Sequence, residues 1–464
     1  MILIVGAGPA GLMAAWRAAA AGHEVTVVER ADRVGGMAGS FEVAGQRVDF
    51  GSHRLHPSTS PYLLDALRGL LGDDLQTRPR HGRIRLEGRW IGFPLKPADL
   101  LLRLPPTFAA RAAFDAATAP LRRPKADTFA EVVRAGLGPA VAGSFYDPYI
   151  RKIWGVPPEE LSGELARRRV SASSPTDIVR RLARGRQRRG QGPSQGQVFL
   201  SPRRGFGQIS EALADAATAA GATIRLGTGV DSARFEDDGV RVRLDDGTTV
   251  DADRLWSTAP LPALAPRLAP APSPKVIEAA GRLTHRALVL VYLVLDRPRY
   301  TEFDAHYFPG LDVSTARLSE PKNYRASNDD PADRTVLCAE VPCSVGDETW
   351  AADADDLGQQ VAGDLERQGL PPVRPVATEL RRLPRVYPVY RVGFEQDLAG
   401  LEAWADEHPR LLTFGRQGLF VPDNTHHALA MGWAAADAIG PDGRWDQAAW
   451  GRARDSFRDF VVED

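Results

Sequence analysis

The amino-terminal segment constrains this chain more than any other. Met1 to Val5 is an apolar run of strand length, Gly6-Ala7-Gly8-Pro9-Ala10-Gly11 follows, and Leu12 to Ala21 is rich in helix formers. The spacing G-x-G-x-x-G between strand and helix has a mechanical reason: Gly6 permits the tight turn, Gly8 lets backbone approach a pyrophosphate, and Gly11 lets helix and strand pack closely. The helix amino terminus then presents free N–H groups and a positive dipole end to the phosphates. A second apolar run ends in Glu29, whose carboxylate stands where a ribose hydroxyl pair needs an acceptor and where a 2′-phosphate would be repelled. The segment predicts a dinucleotide site on an α/β fold. Its glycines interrupt the apolar opening too early for a secretory signal, and no other stretch reaches the length of an uncharged membrane span. A cytoplasmic protein with no membrane span is expected.

The next residues decide which dinucleotide. Arg30 to Ser40 contains Gly35-Gly36, a second close backbone approach, with Met37 and Ala38 beside it. Here the chain resembles the FAD-binding oxidoreductases. The resemblance implies that Gly6, Gly8, Pro9, Ala10, Gly11, Glu29, Arg30, Gly35, Gly36, Met37 and Ala38 bind FAD.

Four further blocks extend the resemblance along the chain. Gly51-Ser52-His53-Arg54-Leu55-His56 is similar to the Gly-x-His-x-x-His segment of UDP-galactopyranose mutases, and Trp90 with Phe93-Pro94-Leu95 to the strand pair that follows it. Tyr149 to Gly155, with Lys152 and Trp154, is similar to their Tyr-x-x-Lys-x-Trp-Gly stretch. Gly415-Arg416, followed by Asn424-Thr425-His426, resembles the Gly-Arg segment that closes over the flavin in mutases, protoporphyrinogen oxidases and amine oxidases. Membership of this superfamily implies a Rossmann-like FAD domain, a parallel sheet with a β-meander, and a discontinuous α+β substrate domain. The expected division is 1–90, 198–262 and 386–464 for FAD, and 91–197 and 263–385 for substrate. By the same resemblance Gly51, Ser52, His53, Val230, Gly415, Arg416, Asn424, Thr425 and His426 join the FAD site, and Tyr149, Trp154, Arg169 and Phe420 contact substrate.

The departures bear on activity. Mutases carry two tyrosines where this chain has Phe420 and Pro422, and neither side chain can donate a hydrogen bond. Asn323-Tyr324, Cys338 to Cys343 and Tyr387 to Tyr390 look more like oxidoreductases related to protoporphyrinogen oxidase. Amine oxidases place a lysine at the start of a strand equivalent to the apolar run Leu288 to Leu295, where this chain has His285 and Arg286.

Composition excludes other classes. With 464 residues, 43% hydrophobic and 25% charged, the chain is long enough for more than one core-bearing domain. A net charge of −1 argues against nucleic-acid binding. Two cysteines in an apolar strand read as reduced thiols. No metal constellation appears, because His426 and His427 are adjacent and lack further ligands at suitable spacing. The arginines at 167–169 and 180–189 form the one strong charge asymmetry, read either as a solvated segment or as a gate over an anionic small-molecule substrate.

His53 and His56 are the catalytic candidates, since an imidazole near a flavin can move protons at neutral pH. The leading reading is an FAD-dependent oxidoreductase that removes a hydride from a carbon bearing O or N, or desaturates a C–C bond, in a sugar-like or secondary-metabolite alcohol or amine. The alternatives are a mutase-like non-redox flavoenzyme acting on a nucleotide sugar, and a flavin-binding scaffold.

Overall fold

A computed structural model describes residues 1–93, 103–170 and 197–462. The arginines at 180–189, the linker at 185–196 and Pro94-Leu95 lie outside the described residues.

The apolar run at the amino terminus becomes Ile2–Val5, the central strand of a five-stranded parallel sheet. Its neighbours are Arg254–Ser257 and Val25–Val28, flanked in turn by Leu411–Thr413 and Thr223–Arg225. Strands buried on both faces read as unbroken apolar runs, and here successive residues serve opposite layers. Ile2 and Ile4 pack on the helices Pro9–Ala20, Gln208–Ala219 and Thr425–Asp437, whereas Leu3 and Val5 pack on a three-stranded antiparallel meander. The meander runs Val230–Phe235, Val240–Leu244 and Thr249–Ala252, with the short strand Leu268–Ala269 added in parallel at its edge.

A seven-stranded sheet forms the second body. Its order is Ala377–Pro388, His285–Leu295, Thr335–Cys343, Arg317–Ser319, Ala305–Tyr307, Gly82–Leu86 and Arg89–Phe93. Residue 90 therefore lies inside a strand of this sheet. In His285–Leu295 the odd-numbered Val289, Val291 and Leu293 meet the helix Ala354–Arg367, and the even-numbered Leu288, Leu290 and Tyr292 meet the hairpin Ser40–Asp49. That hairpin carries the chain from the parallel sheet to the face of the seven-stranded one, so the two sheets share a cleft. Helices Phe129–Leu137, Asp147–Trp154 and Gly163–Arg169 close one side. Among the described residues no helix is long and apolar enough to cross a membrane.

Cys338 and Cys343 are buried in Thr335–Cys343 as free thiols. Burial pushes Cys343 up to about 11 and Cys338 well above the usual thiol range. Since the thiolate is the nucleophile, neither thiol is expected to react with a disulfide reagent at neutral pH. Titration before and after guanidinium unfolding checks this: both thiols should become reactive only on unfolding.

Candidate functional site

A single continuous cavity of ≈ 630 Å³ runs from the amino-terminal glycine turn to the seven-stranded sheet. At its first end the turn is built from fixed backbone. Gly6 has φ +103, and a Cβ on Gly11 would stand 2.0 Å from the Gly6 carbonyl oxygen, so helix and strand meet only through glycine. Gly11 thus sits behind the wall, in the packing role its position predicts. A Cβ on Gly8 would meet nothing within 4 Å, which leaves the cavity side of the turn open to an incoming group.

Glu29 accepts from the backbone N–H groups of Ala7 and Ala31, both at 2.9 Å, and holds its carboxylate on the cavity wall. The second glycine pair locks onto the first turn. The Gly35 N–H donates to the Ala7 carbonyl at 2.7 Å, and with φ +106 a Cβ on Gly35 would stand 2.6 Å from the Gly39 Cα. Gly35 is thus also behind the wall, while Gly36, Met37, Ala38 and Arg30 line it. Val230 lines it too, and its carbonyl accepts from Arg267 at 3.2 Å. An open glycine turn, a helix amino terminus, an acceptor carboxylate and an elongated cavity fit the shape and charge of FAD.

The carboxyl-terminal segment closes the middle of the cavity with Gly415, Arg416, Asn424 and Thr425. Gly415 has φ +80, and a Cβ there would stand 3.0 Å from the Ala10 Cβ. The Arg416 guanidinium donates to the carbonyls of Asp423 at 2.6 Å and Val386 at 2.9 Å. Burial and the neighbouring Arg169 hold its pKa below the usual arginine value. Asn424 caps the helix Thr425–Asp437 through a reciprocal box with His427. His426, expected at FAD, is not on the cavity wall: it is buried on the first turn of that helix, its ring 4.0 Å from His427.

At the far end Gly51, with φ +97, and Ser52 turn the chain over Glu340. The Ser52 N–H donates to Glu340 Oε1 at 2.9 Å, and Arg317 donates to both Glu340 oxygens at 2.9 Å. Arg54 donates to Asp304 at 2.9 Å and to the Tyr307 hydroxyl at 3.1 Å, with its guanidinium 5.2 Å over Phe199. His53 stacks on Phe206 at 5.2 Å. Burial, reinforced by Arg317 and Arg416, pushes it down to about 4, so it is neutral at pH 7. His56 also lines the cavity, tethered through Nδ1 to the Ser58 hydroxyl at 2.7 Å.

Of the residues expected at substrate, Tyr149 and Arg169 line this end and two do not. Trp154 is buried behind the wall, its Nε1 donating to the Pro388 carbonyl at 3.1 Å and its ring 5.3 Å from the Arg169 guanidinium. Phe420 is fully buried at φ +53, stacked on Tyr390 and edge-on to His285. Both are large apolar rings, and the core took them. Sequence reasoning did not single out the Arg317–Glu340 pair, Arg54, Tyr307 or Asp423. A signal was present for Glu340, the one acidic residue in an otherwise uncharged strand that sheet burial would make costly without a partner.

The family model for flavin-containing amine oxidoreductases matches residues 9–439. Putrescine oxidase of Kocuria rosea is 43% identical over 81 residues, a match spanning 18% of this chain and 16% of that relative. Reduced UDP-galactopyranose mutase has a similar fold, with TM-score 0.80 and 22% identity over 97% of this chain and 98% of that one. A putative protoporphyrinogen oxidase from Exiguobacterium sp. 255-15 follows at TM-score 0.71 and 23% identity, covering 94% of this chain and 98% of that one. The chain belongs to the flavin-containing amine oxidoreductases, and its cofactor is FAD.

Proposed function

We propose that this protein oxidises an anionic small molecule by removing hydride from a carbon that bears oxygen or nitrogen. One observation carries the reading: the charge of the cavity beyond the cofactor end. Arg54, Arg80, Arg169, Arg317, Arg385 and Arg416 line it against two carboxylates, Glu340 and Asp423. Glu340 is already engaged by three donors, and Asp423 lies between Arg168 and Arg416. Six guanidiniums against two carboxylates leave an excess of positive charge, which disfavours an alkylammonium and draws a carboxylate or phosphate into a cleft that focuses the field.

Bound FAD supplies the two-electron acceptor. The chain's own residues hold the substrate, exclude water and manage charge. Gly6, Gly8, Glu29 and Gly36 bind the dinucleotide end, and Gly415, Asn424 and Thr425 hold the middle. Tyr149, Phe199, Tyr307 and Tyr387 give the substrate an aromatic wall, and Arg169 orients its anionic group. His53, neutral and on the cavity wall, is placed to accept a hydrogen bond from a substrate hydroxyl or amine and so orient it. The mutase-like reading gains nothing from positions 420 and 422, where a buried phenyl ring and a proline stand.

Anaerobic mixing of the holoenzyme with hydroxy acids, sugar nucleotides, diamines and a porphyrinogen tests this. Bleaching of the flavin by an anionic donor is expected, with Arg169→Gln raising the half-saturating concentration about tenfold or more. Bleaching by diamines alone would contradict it.

A further inference from the structure

Asp423 is a residue of the cavity whose chemistry the proposed reaction leaves unused. Its side chain is 0% exposed, and neither carboxylate oxygen has a hydrogen-bond partner. The nearest cation, Arg168 Nη1, stands 3.7 Å from Oδ1, too far for a hydrogen bond, and the Arg168 Nε is committed to Glu164 at 2.9 Å. Arg416 binds the Asp423 backbone carbonyl rather than its carboxylate. Arg169 is near enough to Arg416 to depress its pKa, and the Tyr390 hydroxyl donates to the Phe420 carbonyl at 2.8 Å. The residue thus borders the cavity one position before the cap of the helix Thr425–Asp437, its carboxylate enclosed just behind the wall with two guanidiniums near and no donor seated on it.

A buried carboxylate with no donor is costly, and protonation removes that cost. Burial accordingly pushes Asp423 up to about 7, against the lowering pull of Arg168 and Arg416. Further negative charge in the same cavity strengthens the preference for the neutral form.

We propose that Asp423 takes up the second proton of the reductive half-reaction. This rests on the oxidoreductase reading. The substrate's C–H and X–H bonds break, where X is O or N, and a C=X bond forms. The hydride carries two electrons to the cofactor, the proton forms a new O–H bond on the Asp423 carboxylate, and reoxidation returns that proton to solvent. With a substrate-free reductant the proton comes from water.

The test counts protons consumed per electron pair during anaerobic photoreduction of the FAD-bound protein, read with a pH indicator in weak buffer. Above pH 7 the wild type is expected to consume two and Asp423→Asn one. As the pH falls below about 7 the wild-type count should drop toward one, because the carboxyl is then already protonated. A flavin that protonates its own N1 shows the reverse trend, gaining the second proton on the acid side. The wild-type trend therefore decides the matter even if Asp423→Asn does not fold. One proton at every pH above 7, or equal counts in wild type and Asp423→Asn, would overturn the proposal, as would loss of the second proton in His53→Gln instead. Photoreduction uses no substrate, so failure of the proton count and failure to find an oxidisable donor are separate results.

Discussion

Gly11→Ala is expected to weaken FAD retention about a hundredfold, measured by equilibrium dialysis of the apoprotein against FAD. The added Cβ would lie 2.0 Å from the Gly6 carbonyl oxygen and 3.2 Å from the carbonyl carbon. Neither can step aside. The Gly6 N–H is bonded to the Val28 carbonyl at 2.8 Å, and the helix Pro9–Ala20 is held from the other side by Thr425–Asp437, where a Cβ on Gly432 would stand 2.2 Å from the Ala10 carbonyl. The helix must move outward, taking with it the N–H groups that face the phosphates. Gly69→Ala, on the helix Pro61–Leu71 where an added Cβ meets nothing within 4 Å, is the control and should bind FAD as the wild type does.

Glu340→Ala is expected to cost about 3–5 kcal/mol of stability, because it leaves the Arg317 guanidinium buried without its counter-charge. Glu340 has a side-chain exposure of 3% and Arg317 of 19%, and the same carboxylate is also the acceptor for the Ser52 N–H. Removing both charges together, as Glu340→Leu with Arg317→Met, should recover most of that loss, since a buried pair is worth little more than well-packed apolar side chains. Denaturant unfolding at a fixed, saturating FAD concentration checks both, ligand linkage being then constant. Glu379→Ala, which opens an exposed pair with Arg381, should cost no more than about 1 kcal/mol. A Glu340→Ala loss of that small size would show that the pair is solvated.

The cofactor end was legible because its chemistry is local. Strand, glycine turn, helix and acidic strand end follow one another in sequence, and each is fixed by backbone geometry that only particular residues permit. Gly11 was legible in the same way, whereas Gly35, read as a close approach to the cofactor, works one layer behind the wall against Gly39. The apolar strand His285–Leu295 announced its burial on both faces by its uninterrupted pattern. The far end was not legible, because it is made by pairings between distant segments. Gly82–Leu86 joins the seven-stranded sheet through Ala305–Tyr307, and Arg317 reaches Glu340 across adjacent strands. No local period records such partners. Trp154 and Phe420 show the converse: resemblance places them near the site, and packing decides that their rings serve the core behind it.

The central claim is that this cavity holds a flavin which an anionic donor reduces. The most direct test is the rate of anaerobic flavin bleaching with a matched pair of donors, an α-hydroxy carboxylate and the amino alcohol that replaces its carboxylate with an aminomethyl group. The arginine-lined cavity predicts bleaching at least about tenfold faster with the carboxylate at equal concentration. Bleaching by the ammonium compound with none by the carboxylate would contradict the account.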